Sequence, residues 1–325
     1  MSEIAALAAQ NLLSPIILSF ALGLGAALAR SDLSVPEAAA KAMSLYLLFA
    51  IGFKGGAGVA EHGVDARLVF ALLAGAVLSF GLPFIAFALI RIMTRLPVLD
   101  AAAVAAHYGS ISIVTFVAAT SVLQGRGTDP EGYMVAVAAV MEAPAILSAL
   151  WLVARGDKSR RMEPDLWREI LLNGSIVLLL GSFAIGWITG TDGLDLISSF
   201  IVAPFQGVLC LFLLDMGLVA GRGLRETRGD LGAGAIAFGL TMPPVGASCG
   251  LLMAFLLGLS PGGTALMMTL AASASYIAVP AAMRVALPEA RPSIYLTLSL
   301  GVTFPFNLTL GIPLYVAVAT AVTGG

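Results

Sequence analysis

The sequence predicts an all-α integral membrane protein with ten transmembrane helices in an inverted repeat of five plus five. Composition, the length of the apolar runs and the order of the loop charges predict this class. Of 325 residues, 59% are hydrophobic and only 11% are charged, with a mean hydropathy of +0.99. Soluble domains have about 25% charged residues. The composition therefore excludes a soluble enzyme and a disordered chain.

The apolar runs give the order of the helices. A helix needs about 20 apolar residues to cross the hydrocarbon core of a bilayer. Runs of this kind predict spans at 11–29, 37–56, 68–92, 99–123, 131–154, 169–189, 195–221, 231–258, 263–287 and 293–322. The longest polar break divides the chain into a first repeat, 1–154, a linker, 155–168, and a second repeat, 169–325.

Lysine and arginine residues indicate the orientation. Thirteen lie in the odd-numbered loops, including 155–168, and two, Arg67 and Arg126, lie in the even-numbered loops. Since positively charged loops stay in the cytoplasm, the linker is predicted inside and both termini outside. The basic residues form no single stripe, so nucleic acid is not a predicted partner.

Five spans per half is an odd number, so two related halves have opposite orientations, as in many secondary transporters. Three short matches support a repeat at a nearly constant offset. The G-x-x-x-G segments 52–56 and 217–221 are 165 residues apart, the S-x-S segments 110–112 and 273–275 are 163 apart, and Pro144 and Pro305 are 161 apart.

The fourth and ninth spans, about 99–123 and 263–287, carry small and hydroxyl residues near their middles and are predicted to break and cross there. A break exposes backbone N–H groups at the positive start of a half-helix, which suits a small anion. The alternative is that these small residues only allow close helix packing. The candidate anion-binding residues are Gly109, Ser110, Ile111, Ser112, Ser273, Ala274, Ser275 and Tyr276.

Ionisable residues at membrane depth are costly and often functional. Glu142 next to Pro144 suits a Na⁺ site, with a proton-coupled or structural carboxylate as the alternatives. The remaining oxygen candidates for Na⁺ are Ser112, Thr115, Thr303 and Asn307. The other ionisable groups are Lys54, His107 and Asp215. For His107 we favour a hydrogen bond to a neighbouring helix over a pH-sensing role.

One motif is typical of an enzyme. The segment 246–250 reads G-x-S-x-G, but a nucleophile elbow needs a strand-to-helix turn, and this segment lies inside the eighth span. We therefore interpret it as a helix-packing segment and predict that the protein is not an enzyme. Cys210 and Cys249 lie in apolar stretches and are interpreted as small buried side chains.

Several strings are shared with a known family. They are 52–56, 107–112, 115–116, 131–133, 142–145, 271–284 and 303–313. On these strings the chain resembles the sodium-dependent bicarbonate transport family of permeases, first known from cyanobacteria. The resemblance implies Na⁺-driven bicarbonate uptake across the bacterial inner membrane by a homotrimer, with core and gate domains drawn from both repeats.

The resemblance also implies that bicarbonate binds between the half-helices with Na⁺ beside it. A nucleotide-sensing regulator of the PII-like class is a possible cytoplasmic partner. The 155–168 loop is shorter than in cyanobacterial members, which leaves this regulation open. The alternatives are a Na⁺- or H⁺-coupled symporter of another small anion, such as a carboxylate or sulfate, and an anion receptor that does not transport.

Overall fold

The structure is a computed structural model that describes residues 13–63, 66–154, 174–226, 231–277, 279–280, 282–283 and 287–324. These ranges contain helices and connecting segments and no strand. The helices are α1 Pro15–Leu28, α2 Glu37–His62, α3 Ala66–Met93, α4 Val98–Gly109, α5 Ile113–Gln124, α6 Met134–Val140, α7 Pro144–Ala154, α8 Gly174–Ile201, α9 Phe205–Glu226, α10 Ala233–Leu257, α11 Pro261–Ala272 and α12 Pro292–Thr323.

In the described residues, eight helical segments are long and apolar enough to cross a membrane. The continuous segments are α2, α3, α8, α9, α10 and α12, and the interrupted ones are α4–α5 and α6–α7. This confirms a helical membrane protein. The count of ten spans and the inverted repeat stay predictions, since α1 has 14 residues and α11 has 12.

The predicted start of the seventh span at 195 is wrong. The helical backbone of α8 is interrupted at Gly190, whose φ of 62° favours glycine, directly after the predicted end of the sixth span at 189, and a short helical stretch then runs to Ile201. The next helix therefore starts at Phe205 instead of 195. The predicted linker 155–168 lies outside the described residues.

Two helix pairs pack with unusually close backbones. Helix α1 packs on α9, and a Cβ on Gly217 would meet the Phe20 carbonyl oxygen. Helix α2 packs on α8, and a Cβ on Gly186 would meet the Phe53 carbonyl oxygen. The two predicted G-x-x-x-G segments lie at these contacts, where small residues allow close approach in a bilayer.

The other helices enclose the α4–α5 span and the span that begins with α11, which is also interrupted. Every residue of α5 except Thr120, Val122 and Gln124 is buried, and α11 is buried apart from Pro261. Each interrupted span is anchored where it begins. Asp100, at the start of α4, accepts hydrogen bonds from the Arg291 backbone N–H and guanidinium at 2.7–2.9 Å. At the start of α11, the N–H and hydroxyl of Ser260 donate to Glu131 at 2.7 and 3.0 Å.

Candidate functional site

The first interrupted span breaks as predicted. Helix α4 ends at Gly109, the backbone is extended at Ser110 and Ser112, and α5 begins at Ile113. Ser112 caps α5 by accepting a hydrogen bond from the Thr115 N–H at 3.2 Å. Gly109 is required by close packing, because a Cβ there would meet Pro83 and the Ser79 carbonyl oxygen of α3.

The ninth predicted span also breaks. Helix α11 ends at Ala272, and residues 273–275 are extended or irregular, with Ser273 at φ −83° and ψ 163°. The Ser275 hydroxyl lies 3.5 Å from the Val279 N–H, at the start of the following segment. Residues 278, 281 and 284–286 of this span lie outside the described residues.

The two breaks are hydrogen-bonded to each other. The Ser112 N–H donates to the Ser273 hydroxyl oxygen at 2.9 Å, and the Ser275 N–H donates to the His107 carbonyl oxygen at 2.8 Å. The Asn307 side-chain amide of α12 donates to the Ala272 carbonyl oxygen at 2.9 Å. These bonds satisfy main-chain N–H and carbonyl groups that lose their helical partners at the breaks. The crossing is therefore stabilised by defined hydrogen bonds and is not a local irregularity.

A small cavity of about 10 Å³ lies at this crossing. Its lining residues are Ile111, Ser112, Ile113, Glu142, Ser275, Tyr276 and Ile277. This volume holds about one water molecule. The structure thus brings predicted anion-binding residues and the predicted Na⁺ carboxylate to one place, around a cavity too small for bicarbonate.

Several polar atoms at the crossing are buried without a hydrogen-bond partner in the described part of the chain: Ser110 Oγ, Tyr276 OH and Glu142 Oε2. The Tyr276 hydroxyl lies beside Ser112 without a hydrogen bond of standard geometry. Buried polar groups are seldom left unpaired, because each unmade hydrogen bond is costly. Such a cluster is typical of a site that binds a polar ligand.

The bonds of Ser112 indicate which ligand it suits. Its oxygen accepts from both the N–H and the hydroxyl of Thr115, at 3.2 and 2.9 Å. A hydroxyl oxygen has two lone pairs, so these bonds leave Ser112 with its own O–H to donate. Ser112 therefore suits an anion better than Na⁺, whereas the Thr115 hydroxyl oxygen keeps its lone pairs for a cation.

Glu142 lies in a third helix break, which the sequence analysis did not predict. Residues 141–143, between α6 and α7, are not helical, and Pro144 begins α7. The Ser79 hydroxyl stabilises this break by donating to the Met141 carbonyl oxygen at 2.6 Å and accepting from the Ala145 N–H at 3.2 Å. Pro144 was the available signal, because a proline removes a helical N–H. No pattern pointed to Ser79.

A family model of the Na⁺-dependent bicarbonate transporter superfamily matches residues 15–320, nearly the whole chain. The chain belongs to this superfamily. No curated protein gives a significant sequence match. This match confirms the resemblance to the sodium-dependent bicarbonate transport family. Together with the apolar helices, it shows that the chain is a multi-pass membrane protein of a transporter family.

Two predicted Na⁺ ligands, Thr303 and Asn307, use their side-chain oxygens in hydrogen bonds to other residues. The Thr303 hydroxyl donates to the Gly239 carbonyl oxygen at 2.7 Å and shares a 2.6 Å hydrogen bond with Tyr108. The Asn307 side-chain oxygen accepts from Tyr315 at 2.9 Å. Neither residue lines the small cavity. In this conformation both connect α12 to its neighbours, and the sequence analysis missed their tyrosine partners.

Helix α12 is π-helical over Thr297–Thr303 and Asn307–Gly311. Such bulges are frequent at functional sites. Both candidate residues of α12 therefore lie in its irregular segments.

The remaining ionisable residues are separated from the small cavity. The His107 ring stacks on Tyr295 with centroids 4.4 Å apart, and its Nδ1 lies 2.6 Å from the Ala103 carbonyl oxygen. Asp215 is buried on α9 and lines neither this cavity nor the larger one. Lys54 lines that larger cavity, of about 610 Å³. Among the described residues, no group of three or more His, Cys, Asp or Glu side chains is placed to hold a metal ion.

The G-x-S-x-G segment packs as we predict. Ser248 is exposed and donates to the Pro244 carbonyl oxygen of its own helix at 2.8 Å. A Cβ on Gly246 would meet the Ala271 carbonyl oxygen, and one on Gly250 would meet that of Met267. The segment is thus the contact between α10 and α11.

Proposed function

We propose that the protein is a Na⁺-driven bicarbonate symporter that imports inorganic carbon across the bacterial inner membrane. The observation that carries the proposal is that an unpaired carboxylate oxygen and unpaired hydroxyls are buried together at the helix crossing. The carboxylate oxygen suits a small cation, and the hydroxyls suit a small oxyanion. Membership of the superfamily supports this pairing of ligands.

In the proposed site, bicarbonate accepts hydrogen bonds from the hydroxyls of Ser110, Ser112 and Tyr276. The Ile113 and Val114 N–H groups in the first turn of α5 have no partner within the helix and carry the positive end of its dipole, whereas the Thr115 N–H is capped by Ser112. These groups bind a monovalent anion without a cationic side chain. Gly109, Ile111, Ser273, Ala274 and Ser275 shape the surrounding backbone.

Sodium binds between Glu142 and the Thr115 hydroxyl in this proposal, with further oxygen ligands from the released carbonyl groups. The Glu142 carboxylate, when charged and alone, repels bicarbonate in the same cavity. Bound Na⁺ cancels this repulsion, so each ligand raises the affinity for the other by the same factor. Thr303 and Asn307 support the crossing through their helix contacts.

Transport also requires that the crossing open. A cavity of about 10 Å³ is too small for bicarbonate, while the 610 Å³ cavity reaches Phe116, one turn along α5 from Ile113. We infer that the crossing spans, with the helices around them, form a core that moves against a gate built from α1, α2, α8 and α9. The inverted repeat is supported by the matched pairing of α1 with α9 and α2 with α8.

The remaining proposals follow the family resemblance. They are a homotrimer in lipid, cytoplasmic placement of 155–168, both termini outside and possible control by a PII-like regulator. The orientation rests on the loop charges.

The direct test is uptake of labelled bicarbonate by proteoliposomes. We expect accumulation with an inward Na⁺ gradient and none when choline replaces Na⁺. Unlabelled bicarbonate should compete, whereas acetate and sulfate at equal concentration should not. Uptake without Na⁺ would refute the coupling, competition by acetate or sulfate would refute the substrate, and binding without accumulation would indicate a receptor.

A further inference from the structure

The large cavity contains a cationic group that the proposed site does not use. This cavity, of about 610 Å³, is open to one face of the molecule, where Gly63, Arg67, Asp129 and Ser260 form part of its wall. Its deeper wall includes Phe116, Met134 and Lys54. We call it the vestibule. By the loop charges, its open face is the outer one.

Lys54 lies well inside helix α2, where a charged side chain needs a compensating partner or water. Its ammonium lies 5.3 Å from the centroid of the Phe205 ring at the start of α9. In the part of the chain that the structure describes, it forms no salt bridge and no hydrogen bond. The aromatic ring stabilises the cation in part, and all three ammonium protons remain available to a ligand.

Three acidic residues also line the vestibule, and none of them forms a salt bridge with Lys54 in the described part of the chain. Glu131 accepts hydrogen bonds at both carboxylate oxygens from Ser260. Glu61 and Asp129 line the same cavity and lie more than 4 Å from the ammonium nitrogen. Among the described residues, Lys54 is thus a cation without an ion-pair partner, in a vestibule that three carboxylates and Arg67 also line.

Two glycines next to Lys54 form part of the vestibule wall. Gly55 and Gly58 line the vestibule and pack on α6 and the segment before it, with Val135 and Gly132 as their nearest neighbours. Their lack of side chains permits this close packing, and the open volume for a ligand is that of the vestibule itself. The space and charge suit a small oxyanion with its water shell.

We propose that Lys54 is an anion-capture site, where a small monovalent oxyanion binds in the vestibule before it enters the helix crossing. This inference rests on the proposed function, since it places a second bicarbonate position on the outer side of the first. Lys54 attracts the anion at short range and donates hydrogen bonds to it from the ammonium group. It does not bind Na⁺.

The test restores the charge chemically. In a background with Cys210→Ala and Cys249→Ala, Lys54→Cys is expected to raise the bicarbonate KM about tenfold, as for loss of one charged hydrogen bond. The Na⁺ KM and kcat should stay within twofold. Alkylation with 2-bromoethylamine, in which the thiolate displaces bromide, gives a side chain of lysine length with an ammonium group. This adduct should return the KM to within twofold of the parent value.

Two controls separate charge from packing. Iodoacetamide gives a neutral adduct at the same sulfur and should leave the KM high. Lys41→Gln removes an exposed lysine from the same helix and should change nothing. If Lys54→Cys does not fold, Lys54→Met replaces it and should show the same increase in KM.

An unchanged bicarbonate KM in Lys54→Cys or Lys54→Met would overturn the proposal. Equal recovery with the neutral and the aminoethyl adducts would overturn it as well. Failure of the proposed function is distinguishable, because it would abolish Na⁺-driven uptake in the cysteine-free parent with Lys54 intact.

Discussion

Replacement of Glu142 by Gln tests the proposed Na⁺ site most sharply, because the change removes charge and keeps shape. Two unit charges about 4 Å apart interact by about 4 kcal/mol at an effective dielectric constant of 20. The amide oxygen of Gln remains a weaker ligand, so we expect a loss of about 2 kcal/mol. This loss raises the Na⁺ dissociation constant roughly 30-fold.

The assay is the Na⁺ dependence of thermal stability, which needs no transport. At 100 times the dissociation constant, Na⁺ stabilises the wild type by about 2.7 kcal/mol, and a 30-fold weaker site leaves about 0.9 kcal/mol. In Na⁺-free buffer the variant should be at least as stable as the wild type, because Glu142 Oε2 has no hydrogen-bond partner among the described residues.

Two results would refute this reasoning. Equal Na⁺ stabilisation of the variant and the wild type would show that Glu142 does not bind Na⁺. A variant that is destabilised in Na⁺-free buffer would show that the carboxylate has a structural role.

Three further predictions concern the crossing and its anchors. Gly109→Ala places a Cβ against α3 and should lower the free energy of unfolding by about 1–3 kcal/mol in thermal unfolding. The control Gly81→Ala, whose Cβ meets nothing within 4 Å, should lower it by less than about 0.5 kcal/mol, and equal effects of the two changes would contradict close packing of Gly109 on α3. Asp100→Asn weakens the hydrogen-bonded ion pair between the buried Asp100 and the half-exposed Arg291 and should lower the free energy of unfolding by about 2 kcal/mol in the same measurement. An unchanged melting temperature would contradict a stabilising role of this pair. Ser112→Ala should raise the bicarbonate KM about tenfold without loss of folded protein, while Ser248→Ala should not change uptake; equal KM values would return Ser112 to a packing role.

Most of the architecture follows from patterns along the chain. Apolar length predicts the spans, and the serines near 110 and 273 mark both breaks, because small polar residues satisfy backbone groups that a continuous helix would pair. The seventh span begins later than predicted, because a short apolar helix to Ile201 follows the non-helical residue Gly190. Sequence shows only that a glycine is present there and not the angle it adopts.

The site could be predicted in part. Ser112, Ser275, Tyr276 and Glu142 lie around one cavity, as their positions in matched repeats suggest. The roles of the other candidate residues depend on hydrogen bonds between distant parts of the chain. Thr303 is engaged by Tyr108, a residue 195 positions earlier, and no local pattern reports such a contact.

The central claim is that Na⁺ and bicarbonate move together, and reciprocal coupling tests it most directly. Proteoliposomes with equal Na⁺ on both sides receive an inward bicarbonate gradient at constant pH, and uptake of labelled Na⁺ is measured. We expect Na⁺ to accumulate above its starting level and then relax as the bicarbonate gradient decays. Labelled Na⁺ entry that is the same with and without the bicarbonate gradient would contradict symport.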